Sequence, residues 1–388
     1  MESNPLYGTP RTEQSPLGPL SMPLDRSSTV AQATAEDVRA LGSAERGEPF
    51  YQRMGHPNGR AFEGLVAMRE GADGAVSFAS GMAAITAAIL AYVRQGDRVL
   101  IAEEIYGGTA AFAMHDLPRF GIEVERFSAL DPDALAVALK QPVRLVVFES
   151  PINPTLRIVD LSRVTELCRA AGALSILDGT FAPPPIQRAL DHGVDLVVHS
   201  ATKFLGGHSD VLAGVVAGRH ELLGPLEAFR RRSGGLLAPD PAWLLCRSYT
   251  TLDLRLQAQQ QAAGEVARGL TDLVGQGRLR SVVFPGLPDH PDRELIDRQM
   301  GGPGCLVSFE VDGGVDGARA VFDRLELIAR APSLGSVESL ASLPSFTTHA
   351  PLSAEERRRA GIAEGLVRIA VGLEGADALL TDLRRAIG

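Results

Sequence analysis

Seven short apolar runs, separated by amphipathic segments, constrain the fold of this chain more than any other feature. Each run is four to six residues long, and several of the gaps between them have helical spacing, as in Met82–Val93, Pro132–Lys140 and Leu161–Ala171. Apolar strands that alternate with helices are typical of a mostly parallel sheet covered on both faces. We therefore predict an α/β domain with seven strands: Ala75–Phe78, Arg98–Ile101, Ile122–Phe127, Leu145–Phe148, Leu174–Leu177, Leu196–His199 and Gly214–Ala217.

The last third of the chain has a different pattern. A Gln- and Ala-rich stretch, about Ala242 to Gly269, predicts one long helix. Shorter elements follow and predict a smaller α+β domain, with strands Val282–Phe284, Cys305–Val311 and Val367–Val371 and helices Ala318–Leu325 and Ala376–Ile387. We expect an N-terminal arm over residues 1–49, flexible over its Pro-, Ser- and Gly-rich first 25 residues, then a large domain (50–240) and a C-terminal domain (241–388).

Composition limits the partners and surroundings of the protein. The net charge is −9, from 38 basic and 47 acidic residues, which argues against binding to nucleic acid or anionic lipid. The longest nearly apolar stretch, about Ala83 to Val93, is too short for a membrane helix, which needs roughly 20 residues. We see no secretion signal at the start of the chain. The three cysteines have no metal-ligand or CxxC spacing, so we expect no metal site, no disulfide framework and a reducing cytoplasm.

Polar residues follow four of the predicted strands, at the sheet edge where ligands of parallel sheets collect. They are Ser80, Gly81, Met82, Asn153, Asp178, Ser200, Thr202 and Lys203. Each alone has an ordinary structural explanation as a helix cap, a turn residue or a lysine in a glycine loop. Their coincidence at one edge favours a ligand site.

The chemistry of this set suits pyridoxal 5′-phosphate. Lys203 is one of only two lysines in the chain, and a lysine amine bonds covalently to an aldehyde once its pKa is lowered. A carboxylate such as Asp178 keeps a pyridine nitrogen protonated, which makes the ring an electron sink. Gly81 and Met82 offer N–H groups at a helix start to a phosphate. Tyr106 follows the second predicted strand and is placed to stack on the ring, although a packing role fits it equally well.

Seven stretches of the sequence, in the order of a known family, cover about residues 50–388. They resemble the Cys/Met-metabolism group of pyridoxal-phosphate enzymes, which includes cystathionine γ-synthase, cystathionine β- and γ-lyases and methionine γ-lyase. The stretches are ASGMAAITAAIL, GDRVLIAEEIYGGT, VVFESPINPTLRIVDL, DLVVHSATKFLGGHSDVLAGVV, VVFPGLPDHPDRE, SLGSVESLASLPSFTTHA and GIAEGLVRIAVGLEG. The resemblance implies the type I fold of these enzymes. It also implies a homotetramer, a dimer of dimers with shared active sites, in which the N-terminal arm makes dimer contacts.

The resemblance also implies the role of each site residue. Lys203 binds the cofactor covalently, Asp178 faces its pyridine nitrogen, and Tyr106 stacks on the ring and takes part in proton transfer. Asn153 lies near the ring hydroxyl. The phosphate is held by Gly81, Met82, Ser200 and Thr202, with Tyr51 and Arg53 reaching it from a neighbouring subunit. The substrate-binding residues are Tyr51, Asn153, Ser333 and Arg368.

The case for Arg368 from the residues alone is less specific. An arginine inside the otherwise apolar strand Val367–Val371 needs an anionic partner. A substrate carboxylate and a structural Asp or Glu would both meet that need.

Two segments depart from the family pattern. Gly179 stands in Asp-Gly-Thr where the family commonly reads Asp-Asn-Thr, and His56 begins His-Pro-Asn where it reads Asn-Pro-Thr. A histidine such as His56 is more often a turn residue than a catalyst, with contact to the rim of the site as the alternative. Uncharged residues also stand where cystathionine γ-lyases place charged ones or methionine γ-lyases a cysteine: Phe50, Ala111, Pro332 and Gly108. We therefore predict a weakly charged side-chain pocket.

These observations predict a pyridoxal-phosphate-dependent lyase or transferase. We expect γ-elimination or γ-replacement on a γ-substituted L-amino acid: a homoserine ester, a homocysteine- or methionine-like compound, or an unusual apolar amino acid of specialised biosynthesis. The alternative within the family is β-elimination from cystathionine or cysteine. A non-catalytic scaffold of the same fold is the alternative from a different class, and the presence of both Lys203 and Asp178 argues against it.

Overall fold

The structure, a computed structural model, describes residues 21–43, 50–350 and 352–388. The predicted flexible arm therefore lies mostly outside the described residues. Its described end is held to the large domain, because Trp243 Nε1 donates to the carbonyl of Met22 at 2.7 Å and Asn58 Oδ1 accepts the N–H of Asp25 at 2.9 Å. The division at residues 49 and 240 stays a prediction.

A seven-stranded sheet forms the centre of the large domain. Its strands are β1 Gly74–Phe78, β2 Arg98–Ala102, β3 Glu123–Phe127, β4 Leu145–Glu149, β5 Leu174–Asp178, β6 Leu196–His199 and β7 Gly214–Gly218. They lie in the order β1-β7-β6-β5-β4-β2-β3, and only β7 runs antiparallel to its neighbours. The predicted mostly parallel sheet of seven strands is confirmed.

Helices cover both faces of this sheet. The α-helices up to the end of β7 and just beyond are α1 Ala35–Ser43, α2 Pro57–Glu70, α3 Gly81–Leu90, α4 Gly107–Ala111, α5 Pro132–Ala138, α6 Leu161–Ala171 and α7 His220–Ser233. Every residue of β2, β4, β6 and β7 is buried, as a sheet covered on two sides requires. Side-chain caps begin α3, α5 and α6, where Ser80, Asp131 and Asp160 accept N–H groups of the first turn.

The prediction of a single long helix from Ala242 to Gly269 is wrong. The structure has two helices instead, α8 Pro239–Tyr249 and α9 Leu252–Gly275. The hydroxyls of Thr250 and Thr251 donate to the carbonyls of Arg247 and Ser248, at 2.8 and 3.1 Å. Such side-chain bonds compete with the helical ladder, which explains a break that apolar periodicity does not show.

A second sheet forms the centre of the C-terminal domain. Its strands are β8 Ser281–Val283, β9 Leu306–Glu310, β10 Ala329–Arg330, β11 Leu340–Ser342 and β12 Leu366–Ala370, in the order β10-β11-β12-β9-β8. The helices are α10 Arg293–Gln299, α11 Gly314–Arg324, α12 Ala354–Arg359 and α13 Ala376–Ile387. Helix α9 joins the two domains, because Leu256 belongs to the core of the large one and Ala263 to the core of the small one.

The sheet register positions the site. Glu149 and Asp178 end β4 and β5 and are direct neighbours across these parallel strands. Strand β6 lies beside β5 and leads into Ser200. No helix in the described residues is long and apolar enough to span a membrane.

Candidate active site

A cavity of about 300 Å³ lies at the carboxyl ends of the parallel strands. It brings together ten of the twelve residues that sequence reasoning placed in the site. These ten are Gly81, Met82, Tyr106, Asn153, Asp178, Ser200, Thr202, Lys203, Ser333 and Arg368. The other lining residues are Ser80, Ile85, Thr109, Glu149, Thr180, Phe181, Val198, Leu212, Pro332, Leu334 and Thr348.

The start of α3 forms one wall of the cavity. Ser80 accepts the N–H of Ala83 at 3.0 Å, and the N–H groups of Gly81 and Met82 in the first turn have no intrahelical partner. A Cβ on Gly81 would lie 2.7 Å from Ser200 Cβ, so only glycine allows this close approach. The hydroxyl of Thr202 is paired with the main chain of Ala213. Two free N–H groups beside a serine hydroxyl can bind an anion.

Asp178 projects into the cavity from the end of β5. Its Oδ1 accepts from the hydroxyl and the N–H of Thr180, at 2.5 and 3.1 Å, and burial raises its pKa although these bonds oppose the rise. The hydroxyl of Thr180 also accepts the N–H of Ser200 at 2.9 Å, which joins the two strand ends. We did not predict Thr180 as a site residue, although it stands in the motif that contains Asp178.

Gly179 explains one departure from the family pattern. A Cβ at this position would lie 3.0 Å from Val197 Cγ2 and 3.1 Å from His199 Cε1. His199 is buried and paired with Glu70, with 2.5 Å between Nε2 and Oε1. A side chain at 179 would therefore press on residues of β6, which would have to shift by a few tenths of an ångström.

Lys203 lines the same cavity as Asp178 and Ser333. Its Nζ donates to Ser333 Oγ at 2.7 Å. Burial, and then the positive charge of Arg368, lower the pKa of Lys203 to about 8. At pH 7 about a tenth of the amine is therefore unprotonated, far more than for an ordinary lysine, and able to act as a nucleophile or a base.

Arg368 is buried in the middle of β12, and its guanidinium faces the cavity. Nη1 donates to Asn153 Oδ1 at 2.7 Å and Nη2 to the carbonyl of Ser333 at 2.9 Å, while Nε has no partner. The guanidinium lies over the ring of Phe181, with 5.7 Å between Arg368 Cζ and the ring centroid. None of the ion pairs among the described residues includes Arg368, and burial lowers its pKa to about 10. A carboxylate entering the cavity would meet a cation that has no salt bridge to an Asp or Glu of the described residues, although the charge of Glu149 acts on it.

Glu149 is a site residue that the sequence reasoning missed. It is buried at the end of β4, and its two oxygens accept the N–H groups of Tyr106 and Asn153, at 2.9 and 3.0 Å. Burial, and then the negative charge of Asp178, raise its pKa to about 8, against which Arg368 acts. The signal that pointed to Asp178, an acidic residue directly after an apolar strand, was present for Glu149 as well.

The aromatic residues assigned to the site occupy different places. Tyr106 lines the cavity and precedes α4, with 43% of its surface exposed. Tyr51 and Arg53 are not in the cavity wall of the same chain. Arg53 lies over the Tyr51 ring, 5.5 Å from its centroid, and donates to the carbonyl of Arg231 at 2.7 Å.

His56 has a structural role and no contact with the cavity. It caps α2, where Nδ1 accepts the N–H of Gly59 at 3.1 Å, and Nε2 lies 2.8 Å from the carbonyl of Leu237. Burial lowers its pKa, so the ring is mostly neutral at pH 7. His56 does not line the cavity of its own chain, and contact with the rim of a neighbouring subunit's site stays a prediction.

Comparison with known proteins identifies the relatives of this chain. The model of the family "Cys/Met metabolism PLP-dependent enzyme" matches residues 8–388. The chain is 38% identical to L-methionine gamma-lyase of Pseudomonas putida over 372 residues, 95% of this chain and 93% of the relative. It is also 38% identical to cystathionine beta-lyase MetC of Bacillus subtilis, over 95% of this chain and 92% of that one.

The fold agrees as well. The crystal structure of cystathionine gamma synthase from Xanthomonas oryzae pv. oryzae, in complex with aminoacrylate and cysteine, superposes with a TM-score of 0.89. The two sequences are 37% identical, and the match covers 96% of this chain and 94% of that one. The chain therefore belongs to the Cys/Met metabolism family of pyridoxal-phosphate-dependent enzymes.

Proposed function

We propose that this protein binds pyridoxal 5′-phosphate and catalyses γ-elimination or γ-replacement on a γ-substituted L-amino acid. The observation that carries the proposal is one cavity containing a lysine of lowered pKa, the half-buried carboxylate of Asp178 and a buried arginine with no salt bridge among the described residues. Relatives named as methionine gamma-lyase and cystathionine gamma synthase support chemistry at Cγ.

The residues present fit this cofactor. The N–H groups of Gly81 and Met82 and the hydroxyl of Ser200 form a cradle for its phosphate, in space that a Cβ on Gly81 would fill. Lys203 offers an amine to its aldehyde, and Asp178 offers a carboxylate to its ring nitrogen. When bound, the cofactor supplies an aromatic ring that stabilises negative charge developing at the substrate Cα.

Arg368 and Asn153 would bind and orient the substrate through its α-carboxylate. A guanidinium is suited to this task because its planar donors match the two oxygens of a carboxylate. The existing bond from Nη1 to Asn153 fixes the guanidinium plane, and the bond from Nη2 to Ser333 fixes its second edge. The substrate Cα would then lie on the side of the cavity that holds Lys203.

Lys203 and Tyr106 would move the protons. The Nζ of Lys203, once released to the cavity, would remove the proton from Cα, because its lowered pKa leaves the amine partly neutral near pH 7. Tyr106, in the same wall, would donate its hydroxyl proton to the group that leaves Cγ. Its aromatic ring would also cover the cofactor. Lys203 would also remove a proton from Cβ, and the electron pair of that C–H bond would expel the group on Cγ. Hydrolysis of the unsaturated product would complete elimination, and addition of a second nucleophile at Cγ would give replacement.

Residues outside the cavity point to a shared site. Tyr51 and Arg53 lie at the surface of the chain, with 42% of Tyr51 exposed. We propose that they reach the phosphate and substrate of a neighbouring subunit in a homotetramer, as the resemblance implies. We also propose a cytoplasmic location, which the three buried, unpaired cysteines support.

β-Elimination is the second candidate. The relative named cystathionine beta-lyase is as similar to this chain as the methionine gamma-lyase is, at 38% identity. The same lysine and arginine would serve both reactions, so the position of the leaving group separates them. The apolar lining residues Leu212, Pro332 and Leu334 favour a substrate with an apolar side chain.

Proton NMR in deuterated water separates these reactions. The enzyme is incubated with β- and γ-substituted amino acids in parallel, and the spectra show which carbons exchange and which group leaves. Exchange at Cα and Cβ with release from Cγ is the expected result. Release from Cβ alone would replace the proposal with β-elimination, and no exchange with any substrate would overturn both.

A further inference from the structure

The carboxylate of Glu149 joins two loops that both contribute residues to the cavity wall. Its Oε2 accepts the N–H of Tyr106, the residue before α4, and its Oε1 accepts the N–H of Asn153, four residues beyond β4. The first loop carries the candidate proton donor. The second carries the amide that fixes Arg368, since Asn153 Oδ1 accepts from Nη1. One buried side chain thus connects both halves of the site.

An ionised carboxyl group is the only side chain of this size that satisfies both bonds fully. Each oxygen faces a main-chain donor, and a carboxylate accepts on both oxygens, whereas an amide accepts on only one. The charged groups facing Glu149 are Asp178 from β5 and Arg368 from β12. A buried negative charge next to a second one is costly, and this cost raises the pKa of Glu149 to about 8, so both bonds reach full strength only where the group is ionised.

We propose that Glu149 is a positioning residue, which holds the Tyr106 loop and the Asn153 loop at a fixed separation and thereby aligns proton donor and carboxylate site. The inference rests on the proposed function for its catalytic consequence, but the tie between the loops is a property of the protein itself. It can therefore be tested without turnover.

Hydrogen exchange followed by mass spectrometry measures the tie directly. In Glu149→Gln the side-chain NH₂ faces one of the two main-chain donors, so at least one loop is released. Peptides containing Tyr106 or Asn153 should exchange about tenfold faster or more, while peptides from the helices and from β12 keep their wild-type rates. The matched control is Glu104→Gln. Glu104 stands two residues before Tyr106 in the sequence and also accepts a main-chain N–H, that of Ala129 at 2.9 Å, but it does not line the cavity.

Kinetics test the catalytic consequence. Glu149→Gln should lower kcat/KM about tenfold or more, and Glu149→Asp should also lower it, because the shorter carboxylate cannot reach both loops. The Glu104→Gln enzyme should retain the wild-type kcat/KM. Wild-type exchange at both peptides in Glu149→Gln would overturn the proposal. Faster exchange with unchanged kcat/KM would overturn the positioning role. An inactive wild type would instead count against the proposed function, and the exchange result would stand.

The wild-type holoenzyme provides a test that does not depend on a variant folding. Ionisation of Glu149 strengthens both of its bonds, so protection at the Tyr106 and Asn153 amides, corrected for intrinsic exchange, should rise in parallel between about pH 7 and about pH 9. Protection that is independent of pH, or that changes at one amide only, contradicts the tie.

Discussion

Lys203 Nζ and Ser333 Oγ lie 2.7 Å apart, although 130 residues separate them in the sequence. The lysine follows β6 in the large domain, and the serine precedes β11 in the C-terminal domain. Ser333 has a φ of 105°, a left-handed conformation that is strained for a residue with a side chain. The bond places the amine at the junction of two domains, where burial and the charge of Arg368 lower its pKa.

The rate at which the apoenzyme captures the cofactor should follow the ionisation of the Lys203 amine. Because its pKa is about 8 instead of the usual 10.5, the neutral amine fraction rises through pH 8 and levels off above it. The rate of capture, followed by the visible absorbance of the bound cofactor, should have this profile. Borohydride should then fix the cofactor on the peptide containing Lys203.

Variants at Arg368 and Lys203 control this experiment. Arg368→Met removes a positive charge that lowers the lysine pKa, so the profile should move to higher pH. Lys203→Ala should capture nothing covalently and lose turnover by about 10²- to 10⁴-fold or more. A variant at position 203 with wild-type turnover would show that another group performs the proton transfer.

Removing the guanidinium should weaken substrate binding more than it slows chemistry. Arg368→Ala deletes the guanidinium that is bonded to Asn153, and we expect KM to rise about 100-fold. Asn153→Ala keeps the cation but frees its orientation, so a rise of about tenfold is expected. Steady-state kinetics give both values. Unchanged KM in Arg368→Ala would place the carboxylate site elsewhere.

A methyl group on Gly81 should disturb the phosphate cradle. Gly81→Ala puts Cβ 2.7 Å from Ser200 Cβ, and one of the two must move. We expect weaker cofactor binding, measured by equilibrium dialysis, and a loss of about 1–3 kcal/mol in the free energy of unfolding. Gly64→Ala in α2 is the matched control, because nothing lies within 4 Å of its Cβ. There the unfolding free energy should rise by roughly 0.5–1 kcal/mol.

The sequence was most informative where local pattern and topology agree. Every predicted strand of the large sheet exists, and the polar residues at their ends meet in one cavity because parallel strands bring their carboxyl ends to one edge. The family resemblance then assigned residues such as Ser333 and Arg368, which no local pattern connects to that edge. Their approach to Lys203 depends on how the small domain packs.

The features that the sequence did not predict also depend on contacts that apolar periodicity does not register. The helix break at Thr250 and Thr251 depends on hydroxyl bonds to carbonyls, which apolar periodicity does not register. Strand β10 has two residues, both exposed, so it carries no apolar signal. Glu149 was passed over because its importance lies in two main-chain donors, and one of them is 43 residues away.

A buried ion-pair network around Glu63 of α2 should make the free energy of unfolding depend on pH in the acid range. The guanidinium nitrogens of Arg230 and Arg60 lie 2.6 and 3.0 Å from the carboxylate oxygens of Glu63. Burial raises the pKa of Glu63, but these two positive charges outweigh burial and lower the pKa from 4.5 to about 2. The folded state thus binds the proton less tightly than the unfolded chain, so the stabilisation is complete above about pH 4.5 and is lost towards pH 2. Glu63→Gln should cost about 3 kcal/mol at pH 7, measured by urea unfolding, and progressively less at lower pH. Glu355→Gln, which removes two exposed ion pairs in α12, with Arg358 and Arg359, should leave stability unchanged. A cost for Glu63→Gln that stays constant from pH 7 to pH 3 would show that the carboxylate is not ionised in the fold.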